Sequence, residues 1–409
     1  MDTEPMPTFV SHRPCPVCQG HQSRLLHTLF FALPDDSPLP THYDLVVCLN
    51  CGTVYADSEA RPEAYDRFYR AFSKYEDEGV ATGGGNDPAD KQRIEELATF
   101  LADQFDPPAR ILDVGCGNGG LLIALRDRGF TDLTGFDPAP ACISRIRSQG
   151  IAACTLALPL SNPEAIVGHR GPYDLIVLSH VLEHVYDAHA VLTSLMPLLA
   201  PEGRFYLETP DPTRYSTQGF PPFYFFDPEH INHFSAASLI YLGSSLGLCP
   251  ILTGQKTLRL ANGSLYPAVY TLLQRRAEPC STGNYNPELY EHLQAYVTRS
   301  LAELEPLRDR ILTLVGTDRP IALWGAGSFS QRLVSQPWFP RQRLCAIVDR
   351  DHNKQGLRFA GILISSPESG LRGLPETTIV LCAAAIVNQA IEQDYHSLQL
   401  PYPFVSIME

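Results

Sequence analysis

The stretch from Ala109 to Gly129, ARILDVGCGNGGLLIALRDRG, contains a short apolar run, a glycine-rich loop and an amphipathic segment. The run from Ile111 to Val114 is typical of a buried strand, and the leucines after the glycines recur at helical spacing. A strand, a glycine loop and a helix in this order form one unit of an open α/β sheet. The glycines let backbone N–H groups approach a ligand closely. The stretch therefore predicts an α/β fold that holds a cofactor at this loop.

The acid that precedes the glycines indicates which cofactor is bound. Asp113 would repel a pyrophosphate, but it would attract the cationic methionine end of S-adenosylmethionine. Asp137, in LTGFDPAP, ends the next strand and is placed to accept both ribose hydroxyls. We interpret Cys116 as the small residue of the loop and Glu183 as support for a helix. The predicted cofactor-binding residues are Asp113, Gly115, Cys116, Gly117, Asp137 and His180.

Length and charge limit the classes of partner. A chain of 409 residues is long enough for two or three domains. A net charge of -14 would repel nucleic acid or an anionic membrane surface, so we expect a small-molecule partner. No apolar run approaches the ~18 residues that a membrane helix needs, and the N-terminal residues lack the apolar core of a signal peptide. We therefore expect a cytoplasmic protein.

Four of the eleven cysteines form two CxxC pairs, Cys15 with Cys18 and Cys48 with Cys51, with 29 residues between the pairs. Two tight turns of this kind complete the tetrahedral thiolate shell that suits zinc, and four thiolates leave no open position for catalysis. The β-branched residues around the second pair predict a small zinc ribbon with structural zinc. Four buried free thiols are the alternative. In a reducing compartment the other cysteines are expected to be buried rather than disulfide-bonded.

The segment FFDPEHINHFS, from Phe225 to Ser235, follows the fifth strand and overhangs the edge of the sheet where ligands bind. A neutral imidazole accepts a proton near neutral pH, so we interpret His230 as a general base that Glu229 orients. A metal site of Glu229, His230 and His233 is an alternative, because this spacing also suits metal ligands. Methyl transfer from a sulfonium ion needs no Lewis acid, which favours the base.

The regions on either side complete the organisation. Tyr75, in SKYED, lies before a glycine-rich stretch and could fold over the site as a lid. Leucines at helical spacing predict a long helix from Glu288 to Val315. After it, RPIALWGAGSFSQRLV repeats the strand, glycine loop and helix pattern with Gly325 and Gly327. NAD is not expected there, because the third glycine of the dinucleotide motif is absent.

The motif ILDVGCGNG resembles the first motif of class I S-adenosylmethionine methyltransferases, and the whole arrangement resembles the sugar C-methyltransferases that act on nucleotide-linked deoxysugars. Members of that family have a four-cysteine zinc domain, a methyltransferase domain and a C-terminal Rossmann-like domain. The resemblance implies that Glu229 and His230 are the Glu-His pair of that family. It also implies that His184 is its histidine after the fourth strand and Tyr75 its linker tyrosine. In that family the histidine removes a proton from the carbon beside a ketone.

The sequence departs from that family at Asp227, where the family has a tyrosine. An anion in place of a hydrogen-bond donor favours oxygen over carbon methylation. We predict a zinc-containing methyltransferase of small-molecule biosynthesis that acts on a nucleotide-linked sugar or a related polar metabolite. An O-methyltransferase of a non-sugar natural product and a catalytically silent binding scaffold are the alternatives. The intact Asp113 and Asp137 disfavour the scaffold.

The predicted fold is α/β with three domains and two connecting segments. The domains are a zinc ribbon (1–60), a methyltransferase domain with a Rossmann-like sheet (91–276) and a smaller Rossmann-like domain (318–409). A linker or lid (61–90) joins the first two domains, and a connecting helix (277–317) joins the last two.

Overall fold

The structure is a computed structural model that describes residues 8–72, 88–162, 171–217, 219–260, 262–276, 287–384 and 387–407. Three sheets of five, seven and six strands make up its β structure. The proposed lid residue Tyr75 and the glycine-rich stretch after it lie outside the described residues. Within the described ranges, no helix has the length and apolar character needed to cross a membrane.

The N-terminal sheet is antiparallel and is built around the two cysteine pairs. Its first strands are β1 (Thr8–Val10), β2 (Gln22–Phe30), β3 (His42–Cys48) and β4 (Val54–Asp57). Strand β3 enters the second cysteine pair and β4 leaves it, as the β-branched residues there predict. Helix α1 (Pro62–Phe72) follows in the predicted linker.

The central sheet has the doubly wound pattern expected for the cofactor fold. Five parallel strands come first, and two antiparallel strands extend the sheet at one edge. The parallel strands are β5 (Ile111–Val114), β6 (Leu133–Asp137), β7 (Ala152–Thr155), β8 (Tyr173–Ser179) and β9 (Leu199–Pro210). The helices are α2 (Pro88–Ala102), α3 (Gly120–Arg126), α4 (Pro140–Ser148), α5 (Ala188–Leu195) and α6 (Ala236–Ser244).

The loop between β9 and α6 contains a two-residue strand, β10 (Asn232–His233), which joins the N-terminal sheet rather than the central one. It pairs antiparallel with β4, with Asn232 opposite Tyr55. The sequence analysis did not predict this pairing. It places the segment with the proposed base between two sheets, where both fix its backbone.

The antiparallel edge strands of the central sheet are β11 (Leu248–Arg259) and β12 (Leu265–Arg275). Strand β12 lies between β11 and β9, so β9 stays covered on both sides. Cys249, in β11, is disulfide-bonded. The expectation that cysteines outside the two pairs are reduced is therefore wrong at this position.

The predicted long helix is present as α7 (Glu288–Val315), with Pro306 inside it. The third sheet is parallel except for its short edge strand, β15. Its strands are β13 (Ile321–Trp324), β14 (Leu344–Val348), β15 (Arg358–Phe359), β16 (Ile362–Ser365), β17 (Ile379–Cys382) and β18 (Phe404–Ser406). Its helices are α8 (Ser328–Ser335), α9 (Pro367–Gly370) and α10 (Asn388–Ser397). The glycine loop between β13 and α8 confirms the second strand, loop and helix unit.

Candidate active site

The cofactor loop joins β5 to α3 and is held against β6. The N–H groups of Gly115 and Cys116 donate to the Phe136 carbonyl at 2.7 and 3.0 Å. Gly115 has a φ of 72°, and a Cβ there would lie 2.6 Å from Cγ2 of Val181, so only glycine fits. This approach also brings the loop against the residues that follow β8. The two chain segments that end at the switch point of the sheet are therefore packed together.

Two buried acids lie at this loop. Asp137 accepts hydrogen bonds from Gly117 N–H and Ala139 N–H, both at 2.9 Å, and each oxygen keeps a second lone pair for a ribose hydroxyl. Asp113 is 5% exposed, and burial, followed by the charge of Asp137, raises its pKa to about 7. Burial also raises the pKa of Asp137. A nearby cationic ligand would relieve the unfavourable charge of both acids.

Cys116 has the part expected of a small loop residue. Its side chain is buried, and a Cβ on Gly135 of the neighbouring strand would lie 2.7 Å from its sulfur. Burial raises the pKa of the Cys116 thiol well above its usual value. The thiol therefore packs against the neighbouring strand. A cofactor contact by the backbone of Cys116 stays a prediction.

His180 lies directly after β8 between two carboxylates. Its Nδ1 is 3.0 Å from Oε1 of Glu183, and its Nε2 is 3.2 Å from Oε1 of Glu208. Burial alone would lower the pKa of His180, but hydrogen bonds to these two acids raise it. Glu208 also contacts Lys256 and the hydroxyl of Tyr206. Both ring nitrogens thus contact protein groups, so the predicted cofactor contact of His180 stays a prediction.

Glu183 is the site residue that the sequence interpretation missed. It lies in a turn before α5, is 1% exposed, and does not support a helix. Its carbonyl accepts from the N–H groups of Ile231 and Asn232 at 2.9 and 3.2 Å, which ties the turn to the proposed base segment. The signal was its position in HVLEH, where histidines lie three residues before it and one after it.

The side chains of Glu183, His184 and His230 converge. One carboxylate oxygen and one nitrogen from each ring all lie within 4.8 Å of one another. The two imidazole rings have centroids 4.7 Å apart and meet edge to face. Burial alone would raise the pKa of Glu183, but His180, followed by His184 and His230, holds it below its usual range. A buried carboxylate therefore faces two histidines at the carboxyl edge of the central sheet.

The backbone around His230 is held by Asp227, the residue that departs from the family pattern. Its Oδ1 accepts from the N–H groups of Glu229 and His230 at 2.9 and 2.7 Å. An aspartate that bonds the backbone two and three residues ahead forms a tight turn, which explains the residue type here. The Glu229 carbonyl lies 3.2 Å from Nδ1 of His184. The orienting role of the Glu229 carboxylate stays a prediction.

His233 does not join this group. It lies in β10, is 1% exposed, and has its Nδ1 3.4 Å from the hydroxyl of Tyr215. Its ring centroid is 4.9 Å from that of Phe226, and burial lowers its pKa to about 3. Among the residues that the structure describes, the ligand set Glu229, His230 and His233 is not assembled. His184 and Glu183 take the places of the other two beside His230.

Residues from the N-terminal sheet anchor this segment. The amide nitrogen of Asn232 donates to the carbonyls of Leu182 and Val185 at 2.8 and 2.7 Å. Its oxygen accepts from Nη2 of Arg13 at 2.5 Å, and Arg13 is 1% exposed. The loop after β8 and the segment around His230 are therefore linked through one buried amide.

The C-terminal unit contacts the same segment. Nη1 of Arg332, in α8, donates to the Phe226 carbonyl at 2.6 Å. The hydroxyl of Tyr43, in β3, donates to the Asp227 carbonyl at 3.3 Å. The backbone just before His230 is thus held by one side chain from the N-terminal sheet and one from a helix of the C-terminal unit.

The four predicted metal ligands also converge, at the end of β3. The sulfur of Cys15 lies 3.5 Å from that of Cys51, and the sulfur of Cys18 lies 3.4 Å from that of Cys48. All four lie within 4.8 Å of one another. Tetrahedral zinc with bonds of about 2.3 Å places its sulfurs about 3.8 Å apart, so this group fits the ion.

The cysteine group is fastened to the central sheet. Gln19 donates to Oδ1 of Asp187 at 3.0 Å, and Asp187 caps the N-terminus of α5. The Pro16 carbonyl accepts from His189 N–H at 2.9 Å. These two hydrogen bonds join the first cysteine turn to the start of α5. The turn therefore helps to position the chain between β8 and α5, which contains His180, Glu183 and His184.

Comparison with known proteins gives matches to methyltransferases. The family model described as "Methyltransferase domain" matches residues 89–249. "C-methyltransferase NovU" of Streptomyces niveus is 24% identical over 393 residues, which covers 90% of this chain and 89% of that protein. "Ubiquinone biosynthesis O-methyltransferase" of Xylella fastidiosa (strain M23) is 30% identical over 158 residues. That match covers 36% of this chain and 64% of that protein, less than two thirds of its length.

Among solved structures, magnesium protoporphyrin IX methyltransferase from Synechocystis PCC 6803 with bound S-adenosylmethionine matches with a TM-score of 0.37 and 18% identity, over 53% of this chain and 98% of that one. The family match covers the strands and the glycine loop that hold Asp113 and Asp137. The protein is an S-adenosylmethionine-dependent methyltransferase.

Proposed function

We propose that the protein methylates a nucleotide-linked sugar or a related polar metabolite of small-molecule biosynthesis, with His230 as the general base. The observation that carries this proposal is the convergence of Glu183, His184 and His230 at the carboxyl edge of the central sheet. Val181, between His180 and this group, packs on Gly115 of the cofactor loop. This packing supports a base at His230 next to the loop that would bind the methyl donor.

The chemistry requires one proton acceptor and one methyl donor. A ring nitrogen of His230 takes the proton from the acceptor carbon or oxygen, and the electron pair left behind attacks the methyl carbon. S-adenosylmethionine, when bound, would supply this methyl group, and its sulfur would keep the electron pair of the broken carbon–sulfur bond. The carboxylate of Glu183 favours the imidazolium that forms, because it is buried and faces the ring. His184 lines the same group of side chains.

The chain's own residues would hold the cofactor and the metal. Asp137 would accept the ribose hydroxyls, and Asp113 would balance the positive charge of the donor. Structural zinc would hold the first cysteine turn in place, and this turn is hydrogen-bonded to the start of α5. We propose a cytoplasmic location, which the absence of a membrane-spanning helix in the described ranges leaves open.

Methylation of an oxygen on a non-sugar acceptor is the second candidate. Asp227 occupies the position where the resembled family has a tyrosine, and its carboxylate accepts hydrogen bonds from two backbone N–H groups. This position therefore has no tyrosine hydroxyl that could stabilise an enolate. An oxygen acceptor needs only the base. The match that spans 90% of the chain is to a C-methyltransferase, which supports the first candidate.

The experiment uses the full-length protein with deuterium-labelled S-adenosylmethionine and a panel of acceptors. The panel contains nucleotide-linked keto sugars, nucleotide-linked hydroxy sugars and phenols. Mass spectrometry finds the labelled product, and NMR locates the methyl group. We expect a labelled nucleotide sugar. Label in a phenol alone would establish the second candidate, and cofactor binding without any product would indicate a silent scaffold.

A further inference from the structure

We propose that Glu183, His184 and His230 form a second metal site, which takes a divalent transition ion such as Mn²⁺, Co²⁺ or Zn²⁺. This site is distinct from the four cysteines. Two imidazoles and one carboxylate on one side of an ion leave further positions open to water or a substrate, and this set suits such ions.

The distances allow this coordination after small side-chain rotations. The three ligand atoms lie within 4.8 Å of one another. Metal bonds of about 2.1 Å at angles between octahedral and tetrahedral bring ligand atoms to about 3.0–3.4 Å from one another. The backbone of His230 is fixed by Asp227, and that of Glu183 by two N–H groups of the neighbouring segment. Only side-chain torsions have to change.

Neighbouring groups already orient two of the three side chains, His184 and Glu183, as ligands. The Glu229 carbonyl accepts from Nδ1 of His184, a bond that leaves the lone pair on Nε2. Metal-bound histidines are commonly held by a carbonyl or a carboxylate in this way. In Glu183, Oε1 contacts His180, whereas Oε2 is buried and has no hydrogen-bond partner among the residues that the structure describes. A cation would supply the partner that this oxygen lacks.

The two metal sites differ in access and in ligand chemistry. Cys15, Cys48 and Cys51 are buried, and four thiolates close the coordination shell. His184 and His230 are partly exposed, so an ion there can exchange. A bound ion would occupy the nitrogen that takes the proton, and methyl transfer would stop. This inhibition rests on the proposed function, whereas the binding itself does not.

The test uses Mn²⁺ alone as the probe, because nitrogen and oxygen ligands suit this ion better than thiolates do. Full-length protein is first treated with a mild chelator and checked for retained zinc. Mn²⁺ binding is then followed by electron paramagnetic resonance. We expect one Mn²⁺ per chain in the wild type. Affinity should be at least about tenfold weaker in Glu183→Gln and in His184→Gln, because each removes a ligand.

His292→Gln is the control, because His292 is exposed on α7 and lies outside the group. His184→Gln keeps the proposal testable if Glu183→Gln fails to fold. Absence of bound Mn²⁺ in the wild type, or equal affinity in His184→Gln, would overturn the metal site. Bound Mn²⁺ that leaves methyl transfer at its full rate would uphold the metal site and overturn His230 as the base.

Discussion

Proton release on cofactor binding is expected from the environment of Asp113. Burial and then the charge of Asp137 raise its pKa from the ordinary 3.8 to about 7. At neutral pH the carboxyl group is therefore only partly ionised in the cofactor-free protein. A sulfonium ion near this group favours the charged carboxylate, so binding S-adenosylmethionine should expel the remaining proton. Affinity should rise with pH, because the ionised form is the one that attracts the cation.

The size of the effect follows from that pKa. The ionised fraction of a group with a pKa of about 7 rises from about 0.09 at pH 6 to about 0.9 at pH 8, so affinity should rise about tenfold, or about 1.4 kcal/mol. At pH 7, about half a proton should be released per cofactor bound. Folding stability has the opposite pH dependence. In the cofactor-free protein, Asp113 lowers the free energy of unfolding as pH rises from 3.8 to about 7, because the folded state prefers the neutral carboxyl group.

Titration calorimetry from pH 6 to pH 8, in buffers of different ionisation enthalpy, measures both quantities. S-adenosylhomocysteine is the matched control ligand, because it keeps the amino acid and the nucleoside but lacks the sulfonium charge. The ratio of the two affinities should rise about tenfold in the wild type and stay flat in Asp113→Asn. A constant ratio in the wild type, or the same slope in Asp113→Asn, would refute the reasoning.

Three further predictions follow from single side chains. Cys48→Ser should lose both the one zinc per chain, measured by mass spectrometry, and its solubility. Cys154→Ser, a control outside the group, should keep both. Full zinc content in Cys48→Ser would show that Cys48 is not a ligand. Asp137→Ala should weaken S-adenosylmethionine binding by roughly 1.5–3 kcal/mol in calorimetry, because a charged hydrogen-bond partner is lost, and unchanged affinity would contradict its assignment to the ribose. Burial lowers the pKa of His233 from 6.5 to about 3, so acid favours the unfolded chain. Urea unfolding should show the free energy of unfolding falling by up to about 1.4 kcal/mol per pH unit between those values, and His233→Asn should lose this component; an equal slope in both proteins would contradict it.

Elements with a local sequence pattern were predicted correctly. The apolar run before the glycines gave the bounds of β5, Ile111–Val114, and the leucine spacing gave those of α7, Glu288–Val315. Both patterns lie within one element and report which of its faces is buried. Each cysteine pair was also recognised from its local CxxC spacing, and the expected tetrahedral zinc shell then predicted that the two pairs converge, as they do.

Long-range contacts were not predictable from such patterns. Strand β10 has two residues, too few to show a period of two, and it pairs with β4, which lies far away in the sequence. The link from Arg13 through Asn232 to the loop after β8 likewise joins side chains from distant segments. Glu183 was misread because its partner His230 lies in another loop, which only the folded sheets bring next to it.

Single-turnover methyl transfer in the wild type and in His230→Gln tests the central claim most directly. Both proteins are loaded with labelled S-adenosylmethionine and mixed with the acceptor that the panel identifies, and labelled product is followed by rapid quenching and mass spectrometry. His230→Gln should lower the rate constant by about 10²–10⁴, the usual contribution of a positioned base, with cofactor affinity unchanged. Transfer at the wild-type rate in His230→Gln, with normal cofactor binding, would contradict the assignment of His230 as the base.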